Sequence, residues 1–210
     1  MPMHDDDPRA RRERQIAYLQ ALHQRGLQRF QGVAGQDAAL LATEVHREVD
    51  ALLERDLGND AGHAAIRCGK GCSHCCSGPV EIWPQEAVLL AAHLREAAIP
   101  IDAAKLERQS RHTVDSWREQ PASDQSCVFL QPDGACGVYA ARPNACRKLL
   151  VTSDPQHCDI SRGEYERIER WFSWETEMVE VAALEVLGKV MLPLALSDAL
   201  RDGASSSQDG

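Results

Sequence analysis

No apolar run in this sequence approaches the roughly 18 residues of a membrane-spanning helix. Ala87-Val88-Leu89-Leu90-Ala91-Ala92 typifies the longest. Met1 to Arg14 is charged throughout and lacks the apolar core of a secretory signal. A basic surplus is missing too: 23 Lys+Arg stand against 32 Asp+Glu, a net charge of −9. Phosphate contacts need a basic surface, so this balance argues against a general nucleic-acid binder. The sequence has no internal repeat, no glycine-rich nucleotide loop after a strand, and no carboxylate pair or Ser/His/Asp set that marks a catalytic constellation. The expectation is a soluble, cytoplasmic chain with no membrane and no nucleic-acid partner. Its 210 residues suit one domain of ordinary size, with or without helical extensions. Such a chain buries an adequate core without disulfide staples.

Cysteine is absent from the first 67 residues and from the last 52, yet the chain has eight. Cys68, Cys72, Cys75 and Cys76 lie within nine consecutive residues, followed by Cys127, Cys136, Cys146 and Cys158. An even count suits disulfides, but a cytosolic compartment keeps thiols reduced. Inert core thiols would be scattered singly among apolar neighbours. These sit among Gly, Ser, Lys and His, which leaves metal or cluster ligation as the favoured reading.

The rest of the chain reads as mainly α. Apolar residues Ile16, Leu19, Leu22 and Phe30 recur at near-helical spacing from about Arg9 to Phe30, after a short polar arm, His4 to Pro8. Asp37 is a candidate N-cap for a second helix to Leu57, with the stripe Ala38, Leu41, Val45, Val49, Leu52 and Leu53. The two are expected to form an antiparallel hairpin over residues 1–60. Cys68 to Pro79 is a glycine-rich loop opening a cysteine-cluster domain over 61–160. Helices are expected from Pro84 to about Ala98, from Asp102 to about Glu119, and from Pro143 through Leu150. Val128-Phe129-Leu130 and Ala135 to Tyr139, joined by Gln131-Pro132-Asp133-Gly134, predict one small β-hairpin. Ser161 with Glu164 forms a capping box for the longest helix, to about Leu187. Its stripe places Ile168, Trp171, Phe172, Met178, Val179, Ala182 and Val186 in the core, with Trp174 assigned there too. A final Pro-interrupted helix, Lys189 to Leu200, completes C-terminal helices over 161–203 that pack on the cysteine domain. Residues 204–210 form a disordered tail.

The spacing i, i+4, i+7, i+8 of the first four cysteines converges several sulfurs on one point, on a helix face or in a tight turn. Close spacing costs little in loop closure. Neighbouring side chains point apart, so Cys75 and Cys76 serve either different metals or different edges of one cluster. The hairpin turn brings Cys127 near Cys136, and Cys146 falls in the first turn of its helix, where the dipole favours a thiolate. Ile66 to Val80 and Cys127 to Leu150 each carry +2, leaving −13 on the remainder. A divalent ion with four thiolates is a −2 object that such cations offset. His74 and His157 adjoin the cysteines and are read as outer partners rather than ligands. Arg142 is expected to pair a carboxylate or a thiolate. The spacing of Cys68, Cys72 and Cys75 also matches radical S-adenosylmethionine enzymes, but the alternating strands and helices of their barrel are missing.

In order, the chain reads C-G-K-G-C-S-H-C-C from Cys68, C-V-F-L from Cys127, and G-A-C-G-V-Y-A-A-R-P-N-A-C-R from Gly134. This resembles the YkgJ-type cysteine-cluster family, a zinc- or iron-chelating domain, over residues 68 to 147. The resemblance implies that the seven matched cysteines ligate zinc or iron, with Cys158 outside the matched part as an eighth candidate. Flagellin lysine N-methylases carry a similar module linked to an iron–sulfur cluster. An iron or iron–sulfur enzyme of redox or methyl-transfer type is therefore one alternative. A zinc-stapled interaction scaffold with a protein partner is another. The overall expectation is helices packed around an irregular, metal-stapled cysteine centre.

Overall fold

The structure, a computed structural model, describes residues 7–33, 36–58, 60–163 and 167–205. The polar arm at 4–6, Glu164 of the expected capping box and most of the expected tail lie outside these residues. Helix α1 (Pro8–Gln31) begins where Asp7 accepts from the Arg9 N–H, with proline in the first turn. Its first half stands in solvent. Ile16 is 46% exposed, against the core position expected of it, and burial starts at Leu22 and ends at Phe30. Helix α2 (Ala38–Leu57) is capped by Asp37, which accepts from the N–H groups of Ala39 and Leu40. It buries Leu41, Val45, His46, Val49 and Leu53, and stops at Gly58, whose φ of 67° suits glycine.

A short α3 (Asp60–Ala65) leads into the cysteine loop. Strand β1 (Glu81–Ile82) precedes α4 (Pro84–Glu96). Helix α5 (Ala103–Gln109), capped by Asp102, ends ten residues before the expected boundary at Glu119. Thr113 and Ser116 exchange side chain–backbone hydrogen bonds there, and such local bonds compete with helix. After α6 (Ala122–Gln125), the expected hairpin is reduced to a single bridge, Leu130 to Cys136. The turn itself forms, with Gly134 at φ 81°. Both arms curl, however: Leu130 N–H bonds Cys127 O at 3.0 Å, and Tyr139 N–H bonds Cys136 O at 3.2 Å.

Helix α7 (Asn144–Lys148) is followed by α8 (Trp174–Leu187), which starts about a dozen residues later than expected. Residues 169–171 are taken up by extended pairing with the exit of α7. Val151 bridges Arg170, and Trp171 N–H donates to Leu150 O at 2.7 Å. Ser173, not Ser161, caps α8, and the Ser161 hydroxyl turns to Asp159. Phe172 and Trp174 are exposed at 43% and 53% and stack edge-to-face at 4.8 Å, which corrects their core assignment. Strand β2 (Val190–Met191) pairs antiparallel with β1, Glu81 opposite Met191, and leads into α9 (Leu192–Ser205).

The fold is thus mainly helical, with nine α-helices and one small two-stranded antiparallel sheet among the described residues. Two cores share the work. One gathers Phe30, Val45, Val49, Val179 and Ala182 from α1, α2 and α8 with Trp83 from the start of α4. The other gathers Leu90, Leu94, Leu106, Phe129, Val138 and Leu196 around α4, α5 and α9. Helix α1 packs chiefly along α8, and α2 along α4. Cys127 and Cys136 pack against the second core. No described helix is long and apolar enough to cross a membrane.

Candidate metal centre

All eight cysteines are free thiols, and four stretches of chain deliver them to one region. Cys68 runs alongside the exit of α7: Arg67 N–H bonds Val151 O at 2.8 Å. Its Sγ accepts from Val151 N–H at 3.2 Å and faces Leu149 O at 3.6 Å. Cys72 closes a tight turn on Gly69 O at 2.9 Å, with Gly71 at φ 89°. Cys75 and Cys76 sit on a 3-10 turn, His74–Ser77, and share a thiol–thiol hydrogen bond. That turn is pinned from two sides. Ser77 O accepts from the buried Trp117 indole at 2.9 Å, and Ser77 Oγ accepts from Ile160 N–H at 3.1 Å.

Cys127 N–H donates to Cys76 O at 2.7 Å, which carries the third stretch onto the first. The thiols of Cys127 and Cys136 each receive a backbone N–H from two residues on, Phe129 and Val138. Donors of this kind spread thiolate charge. Both donors come from apolar positions. Cys158 ends a 3-10 turn, Pro155–Cys158, that packs on the His74–Ser77 turn.

Electrostatics confirm the crowding. Cys75 lies low, at about 7, chiefly through its bond to Cys76, and Cys76 is pushed up in return. Burial pushes Cys127 and Cys158 up to about 11. Cys146 moves upward as well, through burial and then the charges of Cys127, Cys75, Cys136 and Glu86. This overturns the dipole-lowered thiol expected there, since a five-residue helix has little dipole to offer. Two cations act on the thiols: Arg142 on Cys136, as one branch of its expectation required, and Lys105 on Cys127. Lys105 comes from α5, outside the basic stretches that the sequence singled out.

Sequence reasoning missed the polar frame beneath the cysteines. Glu86 and His46 are buried side by side, Arg147 is buried against Asp50, and Lys148 pairs with Glu177 at 3.0 Å. Asn144, fully buried, donates to Glu180. The only local signals were an acidic residue in a helix's first turn and basic residues beside Cys146. A cavity of about 480 Å³ opens beside this frame. Cys75, Cys146, Cys158, His157 and Glu180 line it together with apolar Val80, Leu149 and Leu184. His74 acts electrostatically on Asp159.

Eight thiols and little hard-oxygen chemistry suit a thiophilic ion such as zinc or iron. In this arrangement no three His, Cys, Asp or Glu side chains among the described residues close to a coordination shell. Cys75 and Cys76 bond each other, and the Cys68 thiol faces Leu149 O. The donor chemistry fits such an ion. Such a donor set defines a metal-chelating domain. Residues 67–169 match the model of the CxxCxxCC family, whose description is "putative zinc- or iron-chelating domain". The match reaches beyond Cys146 to take in His157 and Cys158. Comparison with curated proteins and with solved structures gives no match.

Proposed function

We propose that the protein binds zinc or iron, as ions or as an iron–sulfur cluster, through Cys68, Cys72, Cys75, Cys76, Cys127, Cys136, Cys146 and Cys158. The gathering of eight free thiols from four stretches into mutual electrostatic range carries this reading. Free thiols suit the reducing cytoplasm. The bound ion would contribute to folding, since thiolate ligation is worth little in an unfolded chain. Anaerobic purification followed by metal and acid-labile sulfide analysis tests it. Stoichiometric zinc or iron is expected, and Cys72→Ser should lower metal content and melting temperature together. A metal-free, fully folded protein with reactive thiols would overturn the proposal.

One observation favours a second reading, a metal-dependent enzyme. The cavity reaches three of the thiols, and Glu180 at its wall is pushed toward the neutral acid, chiefly by burial. A carboxyl whose burial favours the neutral acid can, beside a small-molecule cavity, offer a proton or a hydrogen bond to a bound substrate. Under this reading an iron or iron–sulfur centre supplies redox or group-transfer chemistry, and Glu180 positions the substrate. Brown colour with labile sulfide would support it. Colourless protein holding stoichiometric zinc would remove it.

A further inference from the structure

We infer that a second cavity, between α2, α4 and α7, binds a small oxyanion that also carries a hydroxyl group, with His46 Nδ1 accepting a hydrogen bond from that hydroxyl. Hydrogen phosphate and hydroxycarboxylates share this chemistry. No cysteine lines the cavity, and the inference does not rest on metal binding.

The cavity encloses about 350 Å³. Helix α2 lines it with Thr43, His46, Arg47 and Asp50, whose spacing i, i+3, i+4, i+7 is one face of a helix. Helix α4 adds Leu89 and His93, one turn apart. Ala140 and Ala141, from the 3-10 turn Tyr139–Ala141, also line it, and their small side chains take up little of its space. Arg147 of α7 completes the polar wall. Its three nitrogens are held by Arg142 O, Asp50 Oδ2 and Ala140 O. A guanidinium carries five N–H groups, so two are left over for a ligand.

His46 is the residue that calls for a ligand. It is buried, and its Nε2 lies 2.7 Å from Glu86 Oε1. That oxygen also accepts from Asn144 N–H, and Glu86 Oε2 accepts from Trp83 N–H. The carboxyl group is thus an acceptor throughout, which places the ring proton on Nε2 and leaves the lone pair of the neutral ring on Nδ1. Nδ1 is buried and has no hydrogen-bond partner among the described residues. Native structures rarely leave a buried polar atom unpaired. This one needs a donor, and a fully ionised anion has none to give. The charged walls ask for the opposite character. Arg47 and Arg147 against Asp50 leave a positive surplus in a chain of net charge −9. Neither Arg47 nor His93 makes a side-chain hydrogen bond or ion pair among the described residues. A hydroxyl for Nδ1 and anionic oxygens for the guanidinium groups meet both demands in one small molecule. A cation fits poorly, because two guanidinium groups share the cavity and Arg147 already holds Asp50.

The test titrates the full-length protein calorimetrically at about pH 8, above the ordinary imidazole range, with inorganic phosphate, lactate, sulfate and acetate. Phosphate should bind about ten-fold or more tightly than sulfate, or lactate than acetate, because sulfate and acetate leave the buried acceptor unpaired. Whichever pair shows the preference identifies the source of the oxyanion. Long-range 15N–1H spectra of the unsubstituted protein need no variant to fold. They should show the Nε2–H tautomer of His46 and a shift of its Nδ1 resonance on saturation. Arg47→Ala, at an exposed position, should weaken binding about ten-fold and leave the melting temperature of the anion-free protein unchanged. Failure of both phosphate and lactate to saturate, equal affinity within both pairs, or binding that leaves His46 Nδ1 unmoved would each overturn the inference. None of these results bears on metal binding by the cysteines.

Discussion

Nε2 of His46 lies 2.7 Å from Oε1 of Glu86, and both side chains are buried. The same Glu86 oxygen accepts from Asn144 N–H at 2.6 Å, and Oε2 accepts from Trp83 N–H at 3.2 Å. One carboxyl group thereby ties α2 to the start of α4 and to the first turn of α7. Two residues along that turn stands Cys146. The frame that positions a thiol is thus fixed by a group that touches no sulfur.

Replacing Glu86 by Gln tests this frame. An amide nitrogen presents donors to donors, so at least one of the three bonds becomes unmade in a buried place. Leaving a buried polar group unsatisfied costs about 1–3 kcal/mol. Urea denaturation should show a loss of this size, with metal content at saturation unchanged because every thiol remains. An unaltered midpoint would mean that the three helices are held by packing alone.

Arg147 makes a second prediction. Its Nε donates to Arg142 O at 2.8 Å, and its other nitrogens bond Ala140 O and, at 2.5 Å, Asp50 Oδ2. The guanidinium is nearly buried while Asp50 is half exposed, so Arg147→Ala mainly strands two carbonyls and should cost about 1–3 kcal/mol, the range for a buried polar group left unpaired. Lysine keeps the charge but not the fork, so Arg147→Lys should fall between. Equal stability of the lysine variant and the parent would show that charge, not geometry, holds residues 139–147 against α2.

Helices α1, α2 and α4 were legible because their signals are local: the apolar spacing of α1, the Asp37 cap of α2 and Pro84 at the start of α4. Eight clustered cysteines, with glycines between the first two, likewise marked an irregular thiol-rich centre. What escaped was set by partners far away in sequence. Val151 holds Arg170 in extended chain, so Trp171 and Phe172 never join the helix whose period they fit. The short sheet joins residues 81–82 to 190–191, and no turn signal links segments so far apart. Glu86 reads locally as first-turn acid, and only the fold reveals its three donors.

Gly26 illustrates the same limit and gives a third prediction. Glycine inside a helix looks like a defect in sequence, but a Cβ there would stand 2.7 Å from Cβ of Ala182. It permits α1 to lie close along α8. Gly26→Ala gains helix propensity of about 1 kcal/mol yet forces the helices apart, and overpacking costs about 1–3 kcal/mol. The variant should be no more stable than the parent, and Gly26→Ala with Ala182→Gly should recover the loss. A double-mutant cycle with no coupling between the two would contradict the contact.

The fourth prediction concerns pH. Burial raises Cys127 and Cys158 from the ordinary 9.0 to about 11, so the folded metal-free chain holds these protons more tightly than the unfolded chain does. For a raised pKa the stabilisation is complete below the unfolded value and disappears as pH climbs through the folded one. The metal-free protein should therefore lose stability between about pH 9 and pH 11, a range fixed by those two values. Metal binding has the opposite slope, because the ion must displace the same protons. Zinc competition against a chromophoric chelator should show affinity rising steadily with pH, with protons released on uptake. Melting curves of the metal-free and zinc-loaded forms would then diverge as the solution becomes alkaline. Affinity independent of pH would mean that Cys127 and Cys158 do not give up protons to the ion, and would remove them from the ligand set.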